Sequence, residues 1–217
     1  MTRFATVTRT KYNVLGHIPF IFFLVFISGF MWLFGDNIFP DWNYNGISYA
    51  TLVSFNFFLL VAFLIFIRIR DLPILRTPLL VGARAFAIGF AATLMFFFVM
   101  HILGLFSNTA LPVAMLLPMI ILQVAIVAPA EELMFRGVVL SYVGIVGQAI
   151  LFAAWHWGLT TVLQTGLTES VIFELLIFFI FGLVLGFVAT KKELGIPACI
   201  GIHACWNIVV LGVIPLI

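Results

Sequence analysis

Charge is scarce in this sequence: Asp, Glu, Lys and Arg together make up 8% of 217 residues. A soluble domain carries roughly a quarter of its residues charged, so an ordinary aqueous surface is excluded. The formal net charge of +2 is too small for a nucleic-acid footprint, and no nucleic-acid partner is expected. Cysteine is nearly absent. Cys199 and Cys205 stand in the last apolar run at a spacing that fits neither a CxxC pair nor a zinc finger, which predicts buried free thiols. Repeats, low-complexity tracts and linkers are missing too, and 1–217 reads as a single integral membrane domain.

What fills the chain instead is hydrocarbon: 65% hydrophobic and 16% aromatic residues, with a mean hydropathy of +1.29. Apolar runs lie at Ile18 to Phe34, Ile47 to Ile67, Ala83 to Phe106, Leu111 to Tyr142, Gly147 to Gln164, Ser170 to Ala189 and Pro197 to Ile217. A span needs roughly 20 residues, and in lipid a helix satisfies its own backbone, so the fold class is all-α: a polytopic bundle of about seven, at most eight, membrane-spanning helices. The Leu111 to Tyr142 run is longer than a bilayer requires. Its first part, 111–118, is expected at the interface, with the span starting near Pro118. The first run is longer than a signal-peptide core and has no A-x-A exit, so it reads as a retained helix. Arg3, Arg9, Lys11, Arg68, Arg70, Arg76, Arg84, Lys191 and Lys192 all fall on one side of such a bundle, which predicts a cytoplasmic N-terminus.

Against this background "APAEELMFRG" is an intrusion, because a charged group at a helix centre costs about 2.5–3.5 kcal/mol on insertion scales. Glu132 and Arg136 stand four apart with the acid first, the favourable order for a pair on one helical face. Glu131 points about 100° away around the helix and is the freer carboxylate. Further polar intrusions are His156 in "FAAWHWG" and His203 with Asn207 in "GIHACWN". A turn at "VGIVG", 143–147, puts Glu131 and His156 about 18 and 14 Å from the membrane edge at 1.5 Å per residue. Counted from Pro197, His203 and Asn207 lie about 9 and 15 Å deep. All four therefore meet in one layer of the cytoplasmic half, and His203 and Asn207 share a helix face.

A carboxylate, two imidazoles and an amide at one depth are equipped for hydrolysis. Glutamate can take a proton from water, and histidine with asparagine can donate to a tetrahedral oxyanion. Glu131, His156 and His203 are equally a ligand set for catalytic zinc with an open fourth position. Cys199 and Cys205 lack an evident activating partner, which disfavours a thiol nucleophile. Each group also has a bland reading alone: Glu132 with Arg136 as a structural brace, the histidines and Asn207 as interhelical hydrogen bonders. Their common depth favours a site.

The patterns Glu131-Glu132-x-x-x-Arg136, Phe152-x-x-x-His156 and His203-x-x-x-Asn207, in that order on successive membrane helices, resemble the CPBP family of intramembrane endopeptidases. That family includes type II CAAX prenyl proteases and bacteriocin-processing or self-immunity proteins. The resemblance covers about 118–210, the expected catalytic core. It implies that Glu131 activates water with His156 as its partner, that His203 and Asn207 stabilise the oxyanion, and that Glu132 and Arg136 shape the site. Zinc on Glu131, His156 and His203 and a metal-free glutamate mechanism both remain open. The implied partners are a peptide or membrane-anchored protein substrate and the lipid bilayer. A non-catalytic peptide-binding immunity or scaffold protein, and a proton-coupled transporter, are the competing functions.

Other polar residues read as peripheral. His17 and His101 sit at helix ends, Glu169 and Glu174 near the outer start of a helix, and Arg84 can snorkel to the interface. Gly182 and Gly186 form a small-residue face for a close helix neighbour, and Phe152 is expected to pack.

Overall fold

The computed structural model describes residues 43–44, 47–48, 56–65, 79–108, 110, 113–157, 168–191 and 193–214. The run from Ile18 to Phe34, His17 and most of the basic residues used for orientation lie outside them. The chain divides into two compact units, Met1–Phe55 and Asn56–Ile217.

In the first unit, β1 (Asn43–Tyr44) and β2 (Ile47–Ser48) pair antiparallel, with Asn43 opposite Ser48 and Tyr44 opposite Ile47. The dipeptide between them is Asn45-Gly46, the commonest two-residue hairpin loop. Ile47 therefore does not start a helix as expected. The apolar run begins directly after the Asn45-Gly46 turn signal and so takes the strand residue Ile47 into the expected helix.

The second unit is helical throughout its described regular structure. Helix α1 covers Asn56–Ile65 and α2 covers Leu79–Ile102. The latter closes on Gly104 at φ 67°, where the amide of Leu105 reaches back to the Met100 carbonyl. Helix α3 (Val113–Ile121) continues through Pro118, and the stretch apolar and long enough to span begins at Met119, next to the expected start.

The chain then changes winding twice. A first π turn, Leu122–Val127, precedes α4 (Ala128–Glu132), and a second, Leu133–Val139, follows it. Pro129 has no N–H to offer the carbonyl four residues earlier, and the wider i→i+5 winding just before it accommodates that loss. Next comes α5 (Leu140–Trp157), broken at Gly144 with φ 74° and ψ −178°. This backbone region is open essentially to glycine alone. At Gly144 the helix folds back on itself, and the pairs Glu131 with His156 and Phe135 with Phe152 are both centred on it along the chain. The expected turn at 143–147 thus resolves to one residue.

Helix α6 (Glu169–Ala189) docks on α5 through the small face expected of it. A Cβ on Gly182 would fall 2.9 Å from Ala149 Cα, and Gln148 Nε2 donates to the Gly182 carbonyl at 2.6 Å. Helix α7 (Gly195–Val210) begins before Pro197 and ends before the expected Ile217. Asn108 closes its end by donating from Nδ2 to the carbonyls of Val209 and Ile214. Gly201 of α7 and Gly89 of α2 leave the two backbones in contact, since a Cβ on either would run into the Phe86 or Ala198 carbonyl.

Among the described residues three stretches are long and apolar enough to cross a membrane: Leu80–Ile102, Met119–His156, which is divided at Gly144, and Val171–Ala189. Large apolar side chains cover much of the exterior, and a few polar groups sit inside an otherwise apolar core. Leu80, Ile88, Met95 and Phe98 on α2 and Ile172, Phe173 and Phe187 on α6 are exposed, while Glu131, Glu132, Arg136, Gln123, Gln148 and His203 are buried. Lipid suits such an exterior, and the interior concentrates the polar groups that lipid would penalise.

Candidate active site

The two glutamates separate on α4 as the helical angle requires. Glu132, fully buried, accepts a hydrogen bond at Oε1 from Arg136 Nη1 at 3.0 Å, the i,i+4 pair read from the sequence. The same oxygen accepts from His203 Nδ1 of α7 at 2.7 Å. One carboxylate oxygen thus joins the arginine to an imidazole 71 residues away along the chain. The Arg136 guanidinium lies over the Phe152 ring, 4.3 Å from its centroid. Its charge is therefore met by a carboxylate and by an aromatic face. Nε and Nη2 of Arg136 and Oε2 of Glu132 are buried without a hydrogen-bond partner.

Glu131 turns the other way. Its Oε2 lies 3.3 Å from His156 Nε2 and 3.8 Å from His203 Nε2, and it too is buried without a hydrogen bond. His156 Nδ1 donates to the carbonyl of Phe152 at 2.9 Å. A carbonyl only accepts, so Nδ1 carries a proton. His203 Nδ1 likewise faces a carboxylate oxygen. In the neutral form each ring then presents a lone pair at Nε2, and both lone pairs face an acceptor oxygen. Three acceptors converge with no donor among them. Such a cluster calls for a proton, a water or a cation at its centre.

Aromatic rings hold the two imidazoles. His156 stacks on Phe178 with centroids 4.4 Å apart and lies 4.2 Å from Phe152. His203 meets the Phe152 and Phe181 rings edge-on, each at 5.8 Å. The side chain of His156 is 18% exposed against 1% for His203, so His156 is the more open of the two. Phe152 packs as expected, and it also carries the cation of Arg136 on its face.

Asn207 lies one turn beyond His203 and is half-buried. Its Nδ2 donates to Gln123 Oε1 of the first π turn at 2.8 Å. Sequence reasoning passed over Gln123, although an amide alone in "MIILQVAIVAP" is as much an outlier as His156. It also passed over the bond between Glu132 and His203, which joins helices far apart in the chain.

His101 bonds the Phe106 carbonyl at 3.2 Å, and Arg84 and Glu174 are exposed. The side chain of Glu169 lies outside the description. Cys199 and Cys205 are buried free thiols, as expected; Cys199 Sγ donates to the Leu185 carbonyl and Cys205 packs with Phe97 and Val209.

Residues 112–209 match the model of the Rce1-like type II CAAX prenyl endopeptidases. Residues 112–209, a little under half of the chain, are similar to that family's domain. All the polar residues of the cluster lie within the match, and the resemblance read from the three motifs is met. Neither a curated protein nor a solved structure matches the chain. The similarity over 112–209 supports an intramembrane endopeptidase of CAAX type in general.

Proposed function

We propose that this protein hydrolyses a peptide bond near the cytoplasmic membrane face, with Glu131 activating the attacking water. The observation that carries this reading is the Oε2 of Glu131: buried, without a hydrogen bond, and faced by two imidazole Nε2 atoms at 3.3 and 3.8 Å. A water there donates one hydrogen to Glu131 and the other to an imidazole lone pair. Glu131 takes its proton as the oxygen attacks the scissile carbonyl and hands it to Nε2 of His156, the more open ring, which passes it to the leaving amine as the C–N bond breaks. Asn207 donates to the developing oxyanion through an N–H. His203 donates through Nε2 only as an imidazolium, whose counter-ion is Glu132 across Nδ1.

A second reading rests on the same three residues. The ligand atoms of Glu131, His156 and His203 all lie within 4.8 Å of one another, and one carboxylate with two imidazoles fits zinc. The bond from His203 to Glu132 is the orienting contact that metal-bound histidines keep. Zinc in that position would supply Lewis acidity and lower the pKa of a bound water.

The substrate we propose is a peptide ending in a prenylated cysteine motif, or another membrane-anchored C-terminus, and the family match supports that choice. The test is cleavage of a quenched fluorescent farnesylated peptide by the protein in detergent. Glu131→Gln is expected to lower the rate about 10²- to 10⁴-fold with an unchanged melting temperature. Cleavage by that variant at the parent rate removes Glu131 from the mechanism. Peptide binding without cleavage by the parent favours the scaffold function instead. Chelation followed by zinc addition separates the two chemistries: activity lost and regained supports the metal, and activity indifferent to both supports glutamate alone.

A further inference from the structure

Gln123 is buried at 4% exposure among Leu122 and Val127, in a helix whose neighbouring turns are apolar. An amide in such surroundings is costly unless it is paired. Its partner is another amide, Asn207, whose Nδ2 donates to Gln123 Oε1 at 2.8 Å from 84 residues away in the chain. A terminal amide has two unlike faces that exchange on a half-turn about its last torsion. One offers N–H groups, the other a carbonyl oxygen. An oxyanion next to Asn207 is stabilised by the first and repelled by the second. The acceptor at Gln123 engages one Nδ2 hydrogen and leaves the other directed elsewhere.

The winding of the helix explains how Gln123 comes to face the same side as the glutamate. Gln123 precedes Glu131 by eight residues, which in a regular α-helix leaves them about 80° apart. The π turn Leu122–Val127 lies between them, and its looser i→i+5 steps take back much of that angle. Gln123 then faces Asn207 on α7 while Glu131 faces His203, one turn earlier on that same helix.

We infer that Gln123 is a positioning residue: through its bond to Asn207 it holds the asparagine N–H toward the oxyanion of the peptide-bond hydrolysis proposed above, on which this inference rests. It touches no substrate. Its effect therefore passes entirely through Asn207.

The experiment is a double-mutant cycle on the full chain in detergent, with Gln123→Leu, Asn207→Ala and the pair, assayed on the farnesylated peptide. Gln123→Leu is expected to lower kcat about tenfold with KM within about twofold, since only transition-state stabilisation is lost. Added to Asn207→Ala it is expected to cost nothing further. Gln123→Glu, which keeps an acceptor oxygen at the same reach, is expected to restore most of kcat. Losses that multiply in the pair, or a KM that rises while kcat holds, overturn the inference. A second readout is independent of turnover: with ¹⁵N-asparagine labelling, the side-chain resonance of Asn207, identified by its disappearance in Asn207→Ala, shifts in Gln123→Leu. An unmoved resonance also overturns the inference. A shifted resonance in a parent protein that cleaves no peptide sinks the endopeptidase reading, and the catalytic role of Gln123 with it, while the contact between the amides stands.

Discussion

Replacing Arg136 by methionine tests whether the polar centre is sealed from water. In the folded chain Arg136 Nη1 and His203 Nδ1 are the two donors that reach Glu132 Oε1, and the side chains of the pair have no exposure. Removing one member of a buried ion pair strands the other and costs about 3–5 kcal/mol. The guanidinium over the Phe152 ring adds about 1–2 kcal/mol to what is lost. Against that, methionine deletes two buried donors, Nε and Nη2, that have no hydrogen-bond acceptor, which returns about 1–3 kcal/mol. The net loss expected is about 3 kcal/mol. At about 2–4 °C per kcal/mol for a chain of this size, the apparent melting temperature in detergent falls by about 6–12 °C. The companion variant Glu132→Gln with Arg136→Met removes both charges and keeps an acceptor for His203. It is expected to recover most of the stability. A single variant that melts within about 2 °C of the parent, or a double variant no more stable than the single one, refutes the sealed-pair reasoning.

Two further outcomes follow from the backbone. Gly144→Ala forces a Cβ into a conformation open to glycine alone and is expected to destabilise the protein by about 1–3 kcal/mol, read as a lower melting temperature; parent-like melting would show that the fold-back does not need that conformation. Gly201→Ala places a methyl against the Phe86 carbonyl and is expected to cost about 1–3 kcal/mol and to reduce cleavage, because α7 carries His203 and Asn207; an unchanged melting temperature would deny the close crossing of α2 and α7.

Some of this was legible locally. Scarce charge and long apolar runs settle a membrane-spanning, helical chain, because lipid leaves the backbone few other ways to satisfy its polar groups. The pairing of Glu132 with Arg136 was legible too, since a spacing of four on a helix decides it. So was the turn-back within 143–147. Placing its pivot at Gly144, rather than at the end of the segment, brings Glu131 and His156 nearly level.

Other features needed the folded chain. The first π turn arises where a helix must absorb Pro129, and no periodicity announces either turn. The hairpin of β1 and β2 was signalled by Asn45-Gly46 and lost beneath the hydropathy of Ile47 to Ile67.

The sequence by itself therefore determined the apolar surroundings this protein suits and the residues that do not belong there, because both depend on composition. Which atom meets which was decided only by tertiary structure. The bonds from His203 to Glu132 and from Asn207 to Gln123 span 71 and 84 residues, and they depend on rotations and crossings of helices that neighbours in the chain do not control.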